Sequence, residues 1–162
     1  MKRKNSPIIL AQGAVIAAAY VALTVVFAPF SFEAIQVRVS EALTILPMFT
    51  ATAIPGLTLG CLFANIIGGA PLPDIIFGTL ATFLGAMGTR FLRNRKPIFA
   101  VIPPIVANML IIPFVLRYAY GIALPIPLMM AMIGFGEVIS CGVLGLLLHK
   151  ALSAHSKDIF KL

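Results

Sequence analysis

From Ile8 to Ala28 the chain runs without one charged side chain. A helix needs about 20 predominantly apolar residues to cross a bilayer, whereas the apolar part of a secretory signal has about 7–15. The run therefore reads as a retained first span, although the basic start MKRKN imitates a signal peptide. Five more apolar segments follow, divided by Pro29, Pro55-Gly56, GGAPLPD, RNRKP and YGIALPIP. Hydrophobic residues are 60% of the chain and charged ones 10%, against about 45–50% and about 25% in soluble domains. One water-soluble core cannot hold that excess. The expected fold is an all-α integral membrane protein, a single membrane domain over 1–162. Its six transmembrane helices are expected at about 8–28, 40–54, 56–69, 74–92, 98–116 and 126–149.

The net charge of +7 could indicate a nucleic-acid partner, but its distribution argues otherwise. Lys2, Arg3 and Lys4 stand at the start, Arg90, Arg93, Arg95 and Lys96 in one connection, and Lys150, Lys157 and Lys161 in the tail. With both termini cytoplasmic, these ten of the twelve Lys and Arg fall inside, leaving Arg38 and Arg117 outside. This is the positive-inside pattern of a multi-pass membrane protein. Segments 40–54 and 56–69 are short for a span and read either as two short crossings or as a re-entrant hairpin. Both readings preserve the later topology.

Ionisable side chains inside a bilayer cost several kcal/mol and are functional candidates by default. Glu137 falls near mid-membrane, Glu41 in the first turn of the second segment behind Ser40 as an N-cap, and Asp74 at the start of the fourth. Asn65 and Asn108 add polar groups within the third and fifth. All five gather at mid-depth or on the outer side. Before them, Ile35 to Ser40 alternates apolar and polar residues, as an extended segment does, with Gln36 and Arg38 on one face. Two bland roles compete: Arg38 pairing with Glu41, and Glu41 and Asp74 favoured at helix starts by the macrodipole.

Small residues repeat every four positions at Ala14, Ala18 and Ala22, and again at Gly56, Gly60, Ala64 and Gly68. Such ladders let helix backbones approach closely in lipid, within the chain or against another subunit. No P-loop, zinc-protease helix or nucleophile elbow occurs, and no catalytic or metal-ligating set can be assembled. Cys61 and Cys141, isolated in apolar runs, read as core residues. His149 and His155 lie at or beyond the last helix end. Any uphill transport must therefore draw its energy from elsewhere.

Three stretches, IQVRVSEALTILP, AIPGLTLGCLFANIIGGA and PDIIFGTLATFLGA, closely resemble the queuosine-precursor transporter (QueT) family, with likeness from about Ala11 to Leu152. The resemblance implies a substrate-binding S-component of an energy-coupling factor (ECF) transporter, with an S-component-like bundle. It implies as partners a transmembrane coupling protein and two cytoplasmic ATPases. It further implies docking through Ala14, Ala18 and Ala22, with Gly56, Gly60 and Ala64 as an extension. The implied substrate is a 7-deazaguanine, either a queuosine precursor or queuine, with no cofactor. Candidate binding residues are Gln36, Arg38, Glu41, Asn65, Asp74, Asn108 and Glu137. Glu41 or Glu137 would take the guanine-like donor edge, and Asp74 or the other glutamate an amine. Phe32, Phe63, Phe77 and Tyr118 would supply a stacking surface. Two alternatives are an S-component for another small heterocycle, such as a vitamin, and a stand-alone secondary transporter. The latter usually carries inverted repeats, which this sequence does not display.

Overall fold

The computed structural model describes residues 6–27 and 37–154. Their regular elements are all helical, without strands among the described residues. Four helices are long and apolar enough to cross a membrane: α1 (Ser6–Val26), α3 (Leu72–Phe91), α4 (Pro97–Tyr118) and α5 (Ile126–Ser153). Two shorter elements separate α1 from α3. They are a 3₁₀ helix over Val39–Met48 and α2 over Ala53–Ile67.

The 3₁₀ helix replaces the α-helix expected over 40–54. Its ends show the tighter register: the Glu41 amide donates to the Arg38 carbonyl and the Phe49 amide to the Leu46 carbonyl, both at 2.9 Å. Pro47 has no amide to continue an α ladder. Ten residues at about 2.0 Å each reach about 20 Å, too short to cross the core of the bilayer. Nor is Ser40 an N-cap. It lies inside the element, which starts after an extended Arg38 and has no side-chain cap. Ser40, Glu41, Ala42, Thr44, Ile45, Leu46 and Pro47 are all buried, because this segment threads the bundle and packs against α1, α2, α3 and α5.

Around it, α1 packs on α2, α2 on α3, α3 on α4 and α4 on α5. The α1–α2 contact depends on glycine. A Cβ on Gly60 would stand 2.7 Å from Tyr20 Cβ, and one on Gly56 would stand 2.8 Å from the Gly13 carbonyl oxygen. The second ladder therefore meets α1 of the same chain, and Ala64 is buried with it. Ala14, Ala18 and Ala22 lie instead on the exposed side of α1. The partner surface expected along Gly56, Gly60 and Ala64 is thus occupied by intrachain packing, which leaves only the alanine ladder facing outward.

The core of the described residues falls into separate clusters. Ile16, Tyr20, Leu46, Leu57 and Cys61 cluster between α1 and α2, and Ile112, Leu116, Met129 and Ile133 close α4 against α5. Large apolar side chains such as Leu10, Val15, Phe91, Phe135 and Leu147 point outward, as lipid contact requires. Connections turn where the backbone needs glycine: Gly69 and Gly121 take φ of 71° and 70°, the left-handed region that only glycine enters at no cost. They bring Asp74 and Tyr120 to one end of the bundle.

Candidate functional site

The structure brings polar side chains from every helical element into one buried region. Glu41, Asp74 and Glu137 are only 1%, 0% and 3% exposed. Burial at that level makes a charged carboxylate expensive unless donors or a cation compensate it.

One half of the region surrounds Glu41. Its Oε1 accepts hydrogen bonds from the Tyr20 hydroxyl of α1 and, at 3.4 Å, from the Thr82 hydroxyl of α3. The Thr24 hydroxyl, one turn beyond Tyr20, donates to Ser40 Oγ at 2.7 Å. Thr44 donates to the Glu41 carbonyl at 2.6 Å. The Cys141 thiol lies 3.1 Å from Glu137 Oε2 and 3.4 Å from the Thr44 hydroxyl. Both cysteines are buried and free, as their apolar settings predict. A π-helical stretch, Val138–Leu144, begins directly after Glu137. Such wide turns recur at functional sites because they re-aim side chains; here the stretch carries Ser140 and Cys141 into the region. Donor atoms of Glu41, Glu137 and Cys141 lie within 4.8 Å of one another, the spacing of a metal site. The hydroxyl and thiol bonds these groups already make suit a hydrogen-bonded organic solute equally well.

The other half lies at the bundle end. Arg38 faces Asp74 with 3.9 Å between Nη2 and Oδ2, so the ion pair expected with Glu41 forms with Asp74. The Tyr120 hydroxyl donates to the same Oδ2 at 2.7 Å. Burial and the adjacent carboxylate push the Tyr120 phenol well above its ordinary range, so it remains a neutral donor. The Asn65 amide reaches the Asp74 carbonyl at 3.4 Å. Gly78 lies between Asp74 and Asn65: a Cβ there would meet Asp74 Oδ1 at 3.0 Å and Asn65 Nδ2 at 3.1 Å.

Among the described residues, several buried polar atoms of this region have no hydrogen-bond partner. They are the acceptors Glu41 Oε2, Asn65 Oδ1 and Asp74 Oδ1, together with Asn108 Nδ2 and the Ser140 hydroxyl. Native folds rarely leave such atoms unpaired, and each costs about 1–3 kcal/mol when they do. The three acceptors match a solute rich in N–H donors.

Six residues expected at a site come together here: Arg38, Glu41, Asn65, Asp74, Asn108 and Glu137. Gln36, like Phe32, lies outside the described residues. The expected stacking surface does not form from Phe63, Phe77 and Tyr118, which face outward. Sequence reasoning missed Tyr20, Thr44, Thr82, Tyr120, Ser140 and Cys141.

A family model described as QueT transporter matches residues 10–154. The chain belongs to this family. It is therefore a membrane transporter of a small molecule rather than an enzyme, as its apolar helices and its buried polar region each suggest. Comparisons with curated proteins and with solved structures gave no match.

Proposed function

We propose that the chain is the substrate-binding S-component of an ECF importer and that it captures a 7-deazaguanine, a queuosine precursor or queuine, from the outer face. Both termini would lie in the cytoplasm. The observation that carries this reading is the set of unpartnered buried acceptors among three carboxyl groups, with one arginine as their charged neighbour. A deazaguanine presents N1–H and a 2-amino group side by side, and its aminomethyl and queuine forms add a cationic amine. Asp74 Oδ1 and Asn65 Oδ1 supply two open acceptors, on side chains that both approach Gly78. Asp74 already has Arg38 and Tyr120 to balance it, so the donor edge belongs at this pair. Glu41 and Glu137 stand close together and repel when both are charged. A ligand amine between them relieves that repulsion. This assignment departs from the sequence-based one, which gave the donor edge to a glutamate. Asn108, with an unspent donor, suits the O6 acceptor.

Energy would come from a separate module, a transmembrane coupling protein with two ATPases, docked on the outward ladder of Ala14, Ala18 and Ala22. Small side chains in lipid permit the close backbone approach on which helix association depends. The test is uptake of labelled 7-aminomethyl-7-deazaguanine by cells expressing this chain with and without the ATPase module. Accumulation only with the module supports the reading. Equal accumulation without it would make the chain a stand-alone secondary transporter.

A further inference from the structure

A groove on the outside of the bundle is lined by residues other than those of the polar region. Between α3 and α4, beside the connection that joins them, this open groove of about 570 Å³ is walled by apolar side chains that include Leu84, Leu92, Phe99, Val106 and Ala107. Its rim carries a single charged side chain, Arg95. The groove follows a close helix crossing: Cβ atoms on Gly85 and Gly88 would stand 2.7 and 2.4 Å from Pro104 and Pro103. Phe99 and Leu84 are about half exposed, so the walls are open to lipid rather than sealed in the core.

The electrostatics of this end are one-sided. Arg93, Arg95 and Lys96 are exposed in the same short connection, and the Arg93 charge is close enough to act on Arg90. Arg90 donates to the Pro47 carbonyl at 3.0 Å. No carboxylate stands within ion-pair distance of these four cations among the described residues, because Glu41, Asp74 and Glu137 are all committed to the polar region. A cluster of cations without a carboxylate counter-ion among the described residues, placed over an apolar trough, is complementary to an amphiphile with a negative head. Basic pockets between membrane helices recognise anionic headgroups in this way.

We infer that the α3–α4 groove is a binding site for one anionic phospholipid, with its phosphate on Arg95 and an acyl chain along Leu84, Phe99 and Val106. The long stem of Arg95 can lie on the apolar wall while its guanidinium takes the phosphate in a two-point contact. This does not depend on which solute the protein carries or on the partner that energises it.

The test is native mass spectrometry of the full chain in detergent with equal amounts of dioleoylphosphatidylglycerol and dioleoylphosphatidylcholine. The expected result is one retained phosphatidylglycerol in preference to phosphatidylcholine. Arg95→Gln should lower the bound fraction by about fivefold, the weight of one cation near an anionic headgroup. Ala107→Trp should lower it as well by filling the groove with every charge intact. Lys150→Gln, a cation outside the groove, should leave it unchanged. Equal retention by Arg95→Gln and Ala107→Trp would overturn the inference, because attraction to the basic end as a whole would then suffice. Equal retention of the two lipids, or a groove occupied by a co-purifying protein, would also overturn it.

Discussion

Tyr20 is the residue through which α1 reaches the polar region. It is 1% exposed, it donates to Glu41 Oε1, and Thr82 is the other hydroxyl on that oxygen. Tyr20→Phe keeps the ring packing and removes one donor to a buried carboxylate. Solute affinity should fall by about 1–3 kcal/mol, roughly 5- to 150-fold in Kd, with a lower unfolding temperature in detergent. Unchanged binding would remove Glu41 from the site. Glu137→Gln probes the amine. Affinity for 7-aminomethyl-7-deazaguanine should fall by a similar amount, while 7-cyano-7-deazaguanine, which has no cation, should lose much less. Calorimetry of the pair reads this directly, and equal losses would contradict the placement of the amine. Asp74→Asn should weaken both ligands alike, since both share the donor edge.

At the scale of elements, α1 has two opposed faces. One buries Ile16, Tyr20 and Thr24, and the other displays Ala14, Ala18 and Ala22. Gly60→Ala places a methyl group against Tyr20 Cβ at 2.7 Å, and overpacking of this kind costs about 1–3 kcal/mol. The variant should melt earlier in detergent and bind solute more weakly, because Tyr20 must shift. Gly13→Ala meets nothing closer than 3.6 Å and should melt at or above the parent temperature. The carboxylates Glu41, Asp74 and Glu137 were legible in the sequence because a charge in an apolar run has a cost that demands a reason. Tyr20, Thr82 and Cys141 carry no such cost, and an isolated hydroxyl or thiol in a helix has no spacing that marks it. The 3₁₀ register of Val39–Met48 was hidden for a different reason. It differs from an α-helix in which carbonyl each amide finds, a choice made by the elements packed around it. Likewise, the alanine and glycine ladders share one spacing, and only tertiary packing decides which meets its own chain. The four long spans were legible from length and hydropathy, with mean hydropathy of 1.3–2.3.

For the whole molecule, the proposed division of transport between this chain and an ATPase module is open to a direct test. The chain holds a buried polar region, an outward ladder, and no P-loop in its sequence. Ala18→Leu should therefore leave solute binding by the purified chain unchanged while abolishing ATPase-dependent uptake, which separates recognition from energisation. Retained uptake would move the partner surface elsewhere. The central claim is that the buried acceptors of α2, α3, α5 and the 3₁₀ helix receive a deazaguanine. The measurement that tests it most directly is calorimetric titration of the purified, detergent-solubilised chain. The ligands are queuine and the 7-aminomethyl and 7-cyano deazaguanines, with guanine and riboflavin as controls. The account predicts saturable one-to-one binding of a deazaguanine, weakened in Asp74→Asn and absent with riboflavin. Folded protein that gives no heat with any deazaguanine would contradict it.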